Sequence, residues 1–225
     1  MPSYEIEIKC LLGEEGLANE LVSKMKGLDP GLIFLGSEKQ KNHYFIDGRL
    51  SLLAVKVKPF LAGANFTRLL EVAEKSVDYS VRTRDNDKGI FLVVKASVDD
   101  TTSANGIARL ELELPTKNLT LDELDGLILE AGFRYQAKWS RERNSYKFLD
   151  ASVSIDKNAG YGYLTEFETL IDDINKTEAA KEGLRRLIRE LGLAELEQSR
   201  LERMFAYYNE HWPEYYGTDK IFVIE

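Results

Sequence analysis

The chain has 225 residues, 44% of them hydrophobic, which is enough for a globular core and leaves no run near the roughly 20 apolar residues that span a bilayer. A formal net charge of −8 argues against a general nucleic-acid binder working by phosphate neutralisation. One cysteine, Cys10, excludes an internal disulfide, and with two histidines it makes a His/Cys zinc site improbable, so any metal must be a hard, oxygen-loving cation.

In chain order, residues 3–10 read as a strand and residues 14–28 as a helix stopped by Asp29-Pro30-Gly31. Residues 33–46 read as extended, followed by amphipathic segments at 50–61 and 67–77 that Pro59 and Gly63 interrupt. Strands are expected at 78–84 and 90–97 around a turn at 85–89, and at 107–114 after a polar loop at 99–106. Thr120 caps a helix over 120–131, with Glu123 in the capping-box position. Strands at 133–139, 142–148, 151–156 and 163–170 follow, joined in the last case by a Gly160-Tyr161-Gly162 turn. Helices at 176–191 and 196–210 close the chain. No repeat, low-complexity tract or linker divides it, so residues 1–225 read as a single domain with a helical, aromatic-rich extension over about 175–225.

Residues two apart on a strand share a face. By that rule Glu5, Glu7 and Lys9 align opposite Ile6 and Ile8, and Arg82 aligns with Arg84. Lys95 shares a face with Phe91 and Val93, and Arg109, Glu111 and Glu113 share another. Arg141, Arg143, Ser145 and Lys147 align, as do Ser154 with Asp156 and Glu166 with Glu168. Any one such strand is an ordinary half-wetted strand. Like charges two apart on strand after strand are mildly repulsive, and they fit an inward charged surface instead. The expected fold is therefore α+β: a closed antiparallel β-barrel with charged residues inward and helices packed outside. Cations suit a densely anionic ligand, and carboxylates suit Mg2+ or Mn2+ bridging phosphate oxygens.

Glu5-Ile6-Glu7-Ile8-Lys9 resembles the N-terminal ExExK signature of the CYTH superfamily, the triphosphate tunnel metalloenzymes. Companion motifs follow in the family's order over residues 5–168: Arg82-Thr83-Arg84, Lys95, Arg109-Leu110-Glu111-Leu112-Glu113, and Arg141-Glu142-Arg143 with Tyr146. Asp156 and Gly162 then precede Glu166-Phe167-Glu168. The resemblance implies an eight-stranded tunnel and divalent-metal dependence. It also implies a triphosphate substrate, as in inorganic and thiamine triphosphatases, class IV adenylyl cyclases and RNA triphosphatases. Carried over residue by residue, Glu5, Glu7, Glu111, Glu113, Asp156, Glu166 and Glu168 become the candidate metal set. Lys9, Arg82, Arg84, Lys95, Arg109, Arg141 and Arg143 become the candidate triphosphate contacts, and Glu5, Glu7 and Lys9 the candidate catalytic group. Two segments depart from the pattern: residues 48–77 are longer and more helical than in compact members, and 203–225 match nothing in it.

The expected activity is metal-dependent hydrolysis of a triphosphate. Class IV cyclisation of ATP to cyclic AMP and pyrophosphate is the alternative, and a non-catalytic triphosphate-binding module is a second alternative that the intact Glu-x-Glu pairs disfavour. The expected partner is a small-molecule triphosphate, with no membrane or nucleic acid and a homodimer left open. A charged N-terminus and a lone thiol suit the cytoplasm. Cys10 is expected to be buried and inert, His43 and His211 to be structural or surface residues, and the aromatic tail to pack rather than form a lid.

Overall fold

A computed structural model describes residues 4–76, 78–97 and 110–225, with the backbone alone at residues 4, 5, 97, 110, 111 and 174. The strands are β1 (Tyr4–Gly13), β2 (Ile33–Ile46), β3 (Asp78–Asn86), β4 (Gly89–Ser97), β5 (Leu110–Pro115), β6 (Arg134–Phe148), β7 (Ala151–Asn158) and β8 (Gly162–Ile171). The helices are α1 (Glu15–Leu28), α2 (Leu50–Val57), α3 (Gly63–Lys75), α4 (Leu121–Glu130), α5 (Thr177–Glu190) and α6 (Gln198–Tyr215). One antiparallel sheet takes all eight strands, in the order β1-β8-β7-β6-β2-β3-β4-β5. The α+β class and the eight antiparallel strands are as expected, but among the described residues no hydrogen-bonded pairing joins β1 to β5 to close them into a barrel.

The chain forms two compact units: Met1–Lys39 with Ser140–Glu225, and Gln40–Trp139. In the first, alternation sends Ile6, Ile8 and Cys10 of β1 and Phe167 of β8 into a core covered by α1 and α5. Leu21 and Met25 supply the apolar side of α1, and Leu184 and Ile188 that of α5, at helical spacing. In the second, Phe45, Val81, Leu92, Val94 and Leu112 alternate into a core closed by α2, α3 and α4. Each fully buried side chain of this size contributes about 1.5–3 kcal/mol.

Local signals explain most boundaries. α1 ends at Leu28, where Asp29 Oδ1 accepts from Gly31 N at 2.8 Å. The capping box on α4 is present: Glu123 N donates to Thr120 Oγ1 at 3.3 Å, and Thr120 N donates to Glu123 Oε2 at 2.8 Å. Gly160 and Gly162 turn the β7–β8 hairpin at φ +78° and +71°. A Cβ at Gly162 would lie 2.1 Å from the Gly13 carbonyl oxygen, so only glycine fits there.

Four expectations need correction. β6 is one unbroken strand of 15 residues where two were expected, because Ser140 and Arg141 interrupt the apolar pattern without breaking the backbone. α2 stops at Val57, and a 3-10 turn at Lys58–Phe60 accommodates Pro59. α3 begins at Gly63, not residue 67, since a first-turn glycine leaves amides that need no intrahelical partner anyway. α6 runs through Pro213 to Tyr215, whose ring packs on Tyr208 and Phe222, and that burial offsets the lost backbone bond.

Candidate functional site

The first unit carries a continuous chain of opposite charges on the strand face away from its core. β1 and β8 pair in a register that sets Lys9 opposite Glu166 and Glu7 opposite Glu168. Lys9 Nζ lies 3.0 Å from Glu166 Oε1 and also pairs with Glu7. The other oxygen of Glu166 accepts from Arg143 NH2 at 2.5 Å and from Ser154 Oγ at 3.3 Å. Arg143 forks onto Asp156, Nε to Oδ1 at 2.7 Å and NH2 to Oδ2 at 2.6 Å, while Arg141 NH1 reaches Asp156 Oδ2 at 3.3 Å. The order Glu7–Lys9–Glu166–Arg143–Asp156–Arg141 therefore runs across β1, β8, β6 and β7 with alternating sign.

Burial concentrates these charges. Asp156 is 2% exposed at its side chain and Glu166 16%. Burial alone would push the Glu166 carboxyl up, but Lys9, Arg143 and Arg141 overcome it and hold the group at about 2. Burial likewise opposes the charge of Arg143, while Asp156 and Glu166 raise its pKa further. Both stay ionised across the physiological range. Removing one partner of such a set leaves a half-buried charge uncompensated, which is costly.

The second unit carries a more cationic face. Arg82 NH1 donates to Tyr44 OH at 3.2 Å, and Arg84 Nε donates to Asn42 Oδ1 at 3.1 Å. Arg84 also pairs with Glu113. Backbone register places Lys95 between Ser80 and Glu111, and Val93 between Arg82 and Glu113. Arg109 lies outside the described residues, as do the side chains of Glu5 and Glu111.

Of the expected site residues, the structure thus joins Glu7, Lys9, Arg141, Arg143, Asp156 and Glu166 directly, with Glu168 at the next register position. It joins Arg84 to Glu113 and sets Arg82 and Lys95 on neighbouring register positions of the other face. Alternation aligns Ser154 with Asp156, whereas Asn42 and Tyr44, which orient Arg84 and Arg82, carry no charge pattern that would single them out. His43, expected to be structural or at the surface, is buried against Asp125. Asp125 escaped the sequence reading, though its signal was present: a carboxylate within the Leu121, Leu124, Ile128 stripe of α4.

Among the described residues, no group of three or more His, Cys, Asp or Glu converges tightly enough to enclose a metal. Magnesium commonly uses one or two carboxylates with waters and substrate phosphates, so a full protein cage is not required. Glu7 and Glu168 sit directly across an antiparallel pair, where two like charges are unfavourable without a cation nearby. Lys9 supplies that positive charge. Carboxylate oxygens are the donor type a hard cation takes.

No family model matches the chain. A Methanocaldococcus jannaschii protein named "Putative adenylate cyclase" is 23% identical over 190 residues, which cover 84% of this chain and 90% of that protein. A provisionally named adenylate cyclase from Vibrio parahaemolyticus superimposes with a TM-score of 0.57 at 14% identity, covering 92% of this chain and 99% of that one. A Pyrococcus horikoshii protein gives 0.53 at 21% identity, covering 87% and 94%. The two structural likenesses are likenesses of fold. Cys10 is buried as expected, its thiol pushed up to about 12 by burial and then by Glu195. No described helix is long and apolar enough to cross a membrane.

Proposed function

We propose that this protein is a divalent-metal-dependent enzyme acting on a nucleoside triphosphate, and that its reaction is cyclisation of ATP to cyclic AMP and pyrophosphate. The observation that carries the triphosphate reading is the ion chain from Glu7 through Lys9, Glu166 and Arg143 to Asp156. A face so evenly compensated and partly buried offers guanidinium and ammonium donors to phosphate oxygens, while its carboxylates suit a cation. The names of the Methanocaldococcus and Vibrio proteins favour cyclisation over hydrolysis. Closure of the eight strands into a barrel belongs to the same reading.

In this reading Lys9, Arg82, Arg84, Lys95, Arg109, Arg141 and Arg143 bind and orient the triphosphate. Glu5, Glu7, Glu166 and Glu168 hold Mg2+ or Mn2+, with Glu111, Glu113 and Asp156 as further acidic lining. A bound divalent ion supplies charge neutralisation at the phosphate oxygens. The ribose 3′-hydroxyl oxygen forms the new bond to the α-phosphorus, the bond from that phosphorus to the pyrophosphate oxygen breaks, and a carboxylate of the Glu5/Glu7 pair accepts the hydroxyl proton. Lys9, with the arginines, holds the charge that develops on the leaving pyrophosphate.

Hydrolysis of the triphosphate is the second reading. It is favoured by the polar groups among the charges: Asn42, Tyr44 and Ser154 are engaged by Arg84, Arg82 and Glu166 instead of being offered to a purine. Product analysis separates the two. The protein is incubated with ATP, tripolyphosphate and thiamine triphosphate, each with magnesium or manganese, and cyclic AMP, pyrophosphate and phosphate are quantified. Equal cyclic AMP and pyrophosphate from ATP is the expected result. Phosphate release without cyclic AMP selects hydrolysis, and binding without any product selects the non-catalytic module.

A further inference from the structure

Asp125 occupies a position on α4 where the pattern calls for an apolar side chain. It shares the buried stripe with Leu121, Leu124 and Ile128, and its carboxylate is 2% exposed. Burying a carboxylate is costly unless it is hydrogen-bonded. Here the bonds come from three strands of the second unit. Thr83 Oγ1 on β3 donates to Oδ1 at 2.8 Å, and Tyr135 OH on β6 donates to Oδ2 at 2.7 Å. His43 Nδ1 on β2 lies 2.6 Å from Oδ2, and Lys138 Nζ stands 3.9 Å away.

The register gives this arrangement its meaning. His43 and Thr83 are direct partners across β2 and β3. The pairs on either side are Asn42 with Arg84 and Tyr44 with Arg82, each joined by the side-chain bond described above. Side chains alternate, so the middle pair faces Asp125 while the flanking pairs face the other way. A one-residue slip would send both arginines into the core. An apolar residue at 125 would not discriminate between registers, whereas a buried carboxylate demands its donors.

We infer that Asp125 is a positioning residue for the cationic face: by gripping the His43/Thr83 pair from behind, it fixes the strand register that presents Arg82 and Arg84 to the triphosphate. The inference rests on the reading that those guanidinium groups bind phosphate. Asp125 touches no substrate and acts through the two strands.

The test uses conservative changes in the full chain. Thr83→Val removes one donor at constant shape, Thr83→Ser retains it, and Tyr135→Phe removes another. Binding of magnesium tripolyphosphate is measured by calorimetry beside each thermal midpoint. Thr83→Val and Tyr135→Phe are expected to bind about tenfold more weakly, with Thr83→Ser close to wild type. In an Arg82→Ala/Arg84→Ala background, Thr83→Val should add less than about a twofold loss, because its effect runs through those two guanidinium groups. Lowered midpoints with unchanged affinity would overturn the positioning role. A wild-type protein that binds no tripolyphosphate removes the functional reading instead, and amide exchange then decides the register claim. Faster exchange at Arg82, Thr83 and Arg84 in Thr83→Val keeps it, and unchanged exchange rejects it.

Discussion

At the scale of single residues, Glu166 and Glu168 sit on one strand face and are expected to behave differently. Without metal, Glu166 pairs with Lys9 and Arg143, which compensate its charge before any cation binds. Its folded value of about 2 lies below the ordinary 4.5, so it contributes stability above pH 4.5 that is lost as pH falls toward 2. That contribution is on the order of 3 kcal/mol. Urea unfolding of metal-free protein should show the acid loss in wild type and a clearly flatter pH dependence in Glu166→Gln. Equal slopes would mean that the ion chain adds nothing to the folded state. Glu168 stands opposite Glu7, and the proposal gives it to the metal. Glu168→Gln keeps shape and removes the charge a hard cation needs, so activity should fall steeply and recover partly at raised manganese. Metal-free tripolyphosphate binding should hold or tighten, since one repelling charge is gone. Normal turnover at low magnesium would sink the metal assignment.

At the scale of elements, α4 carries the hub carboxylate and depends on its first turn. Thr120 and Glu123 satisfy each other's backbone amides, and the Thr120 backbone bond, followed by its side-chain bond, lowers the Glu123 pKa. Thr120→Ala should cost about 0.5–2 kcal/mol in chemical denaturation. If α4 matters only as a cover for the core, this variant will keep wild-type affinity for tripolyphosphate at temperatures where it is folded. The β7–β8 hairpin is the second sensitive element. A Cβ at Gly160 would come within 2.8 Å of the Tyr208 and Phe222 rings, and at Gly162 within 2.1 Å of a carbonyl oxygen. Gly162→Ala should therefore destabilise more than Gly160→Ala, because rings can shift and backbone cannot. The reverse order in melting experiments would count against this packing.

At the scale of the whole molecule, the residues proposed to contact the triphosphate are divided between the two units, and the chain has a reporter in each. Trp139 lies in the second unit and Trp212 in the first. Single-tryptophan variants, Trp212→Phe and Trp139→Phe, let each unit's melting be followed alone. Magnesium tripolyphosphate at about a hundred times its dissociation constant adds about 2.7 kcal/mol to whatever it binds. Both fluorescence transitions should rise by about 5 °C or more. A shift confined to one tryptophan would restrict the ligand to one unit and remove half of the proposed contacts.

Alternation was legible in the sequence because a strand's two faces are dictated by its own backbone: Glu7 with Lys9, Arg82 with Arg84 and Glu166 with Glu168 needed no neighbour to share a side. The capping box, the hairpin glycines and the helix stop at Asp29 were legible for the same reason, being contacts within a few residues. What required tertiary structure is partnership. Nothing in Glu7 and Glu168 separately says that they stand opposite each other, nor that Arg143 divides its guanidinium between Asp156 and Glu166. β6 shows the same limit, since its charged middle resembles a break until β7 pairs with it from Arg141 to Phe148. Asp125 is the clearest instance. Its sequence signature is one misplaced carboxylate, and its meaning comes from Thr83, 42 positions away, and His43, 82 positions away, because only strand pairing brings such distant donors to one buried oxygen pair.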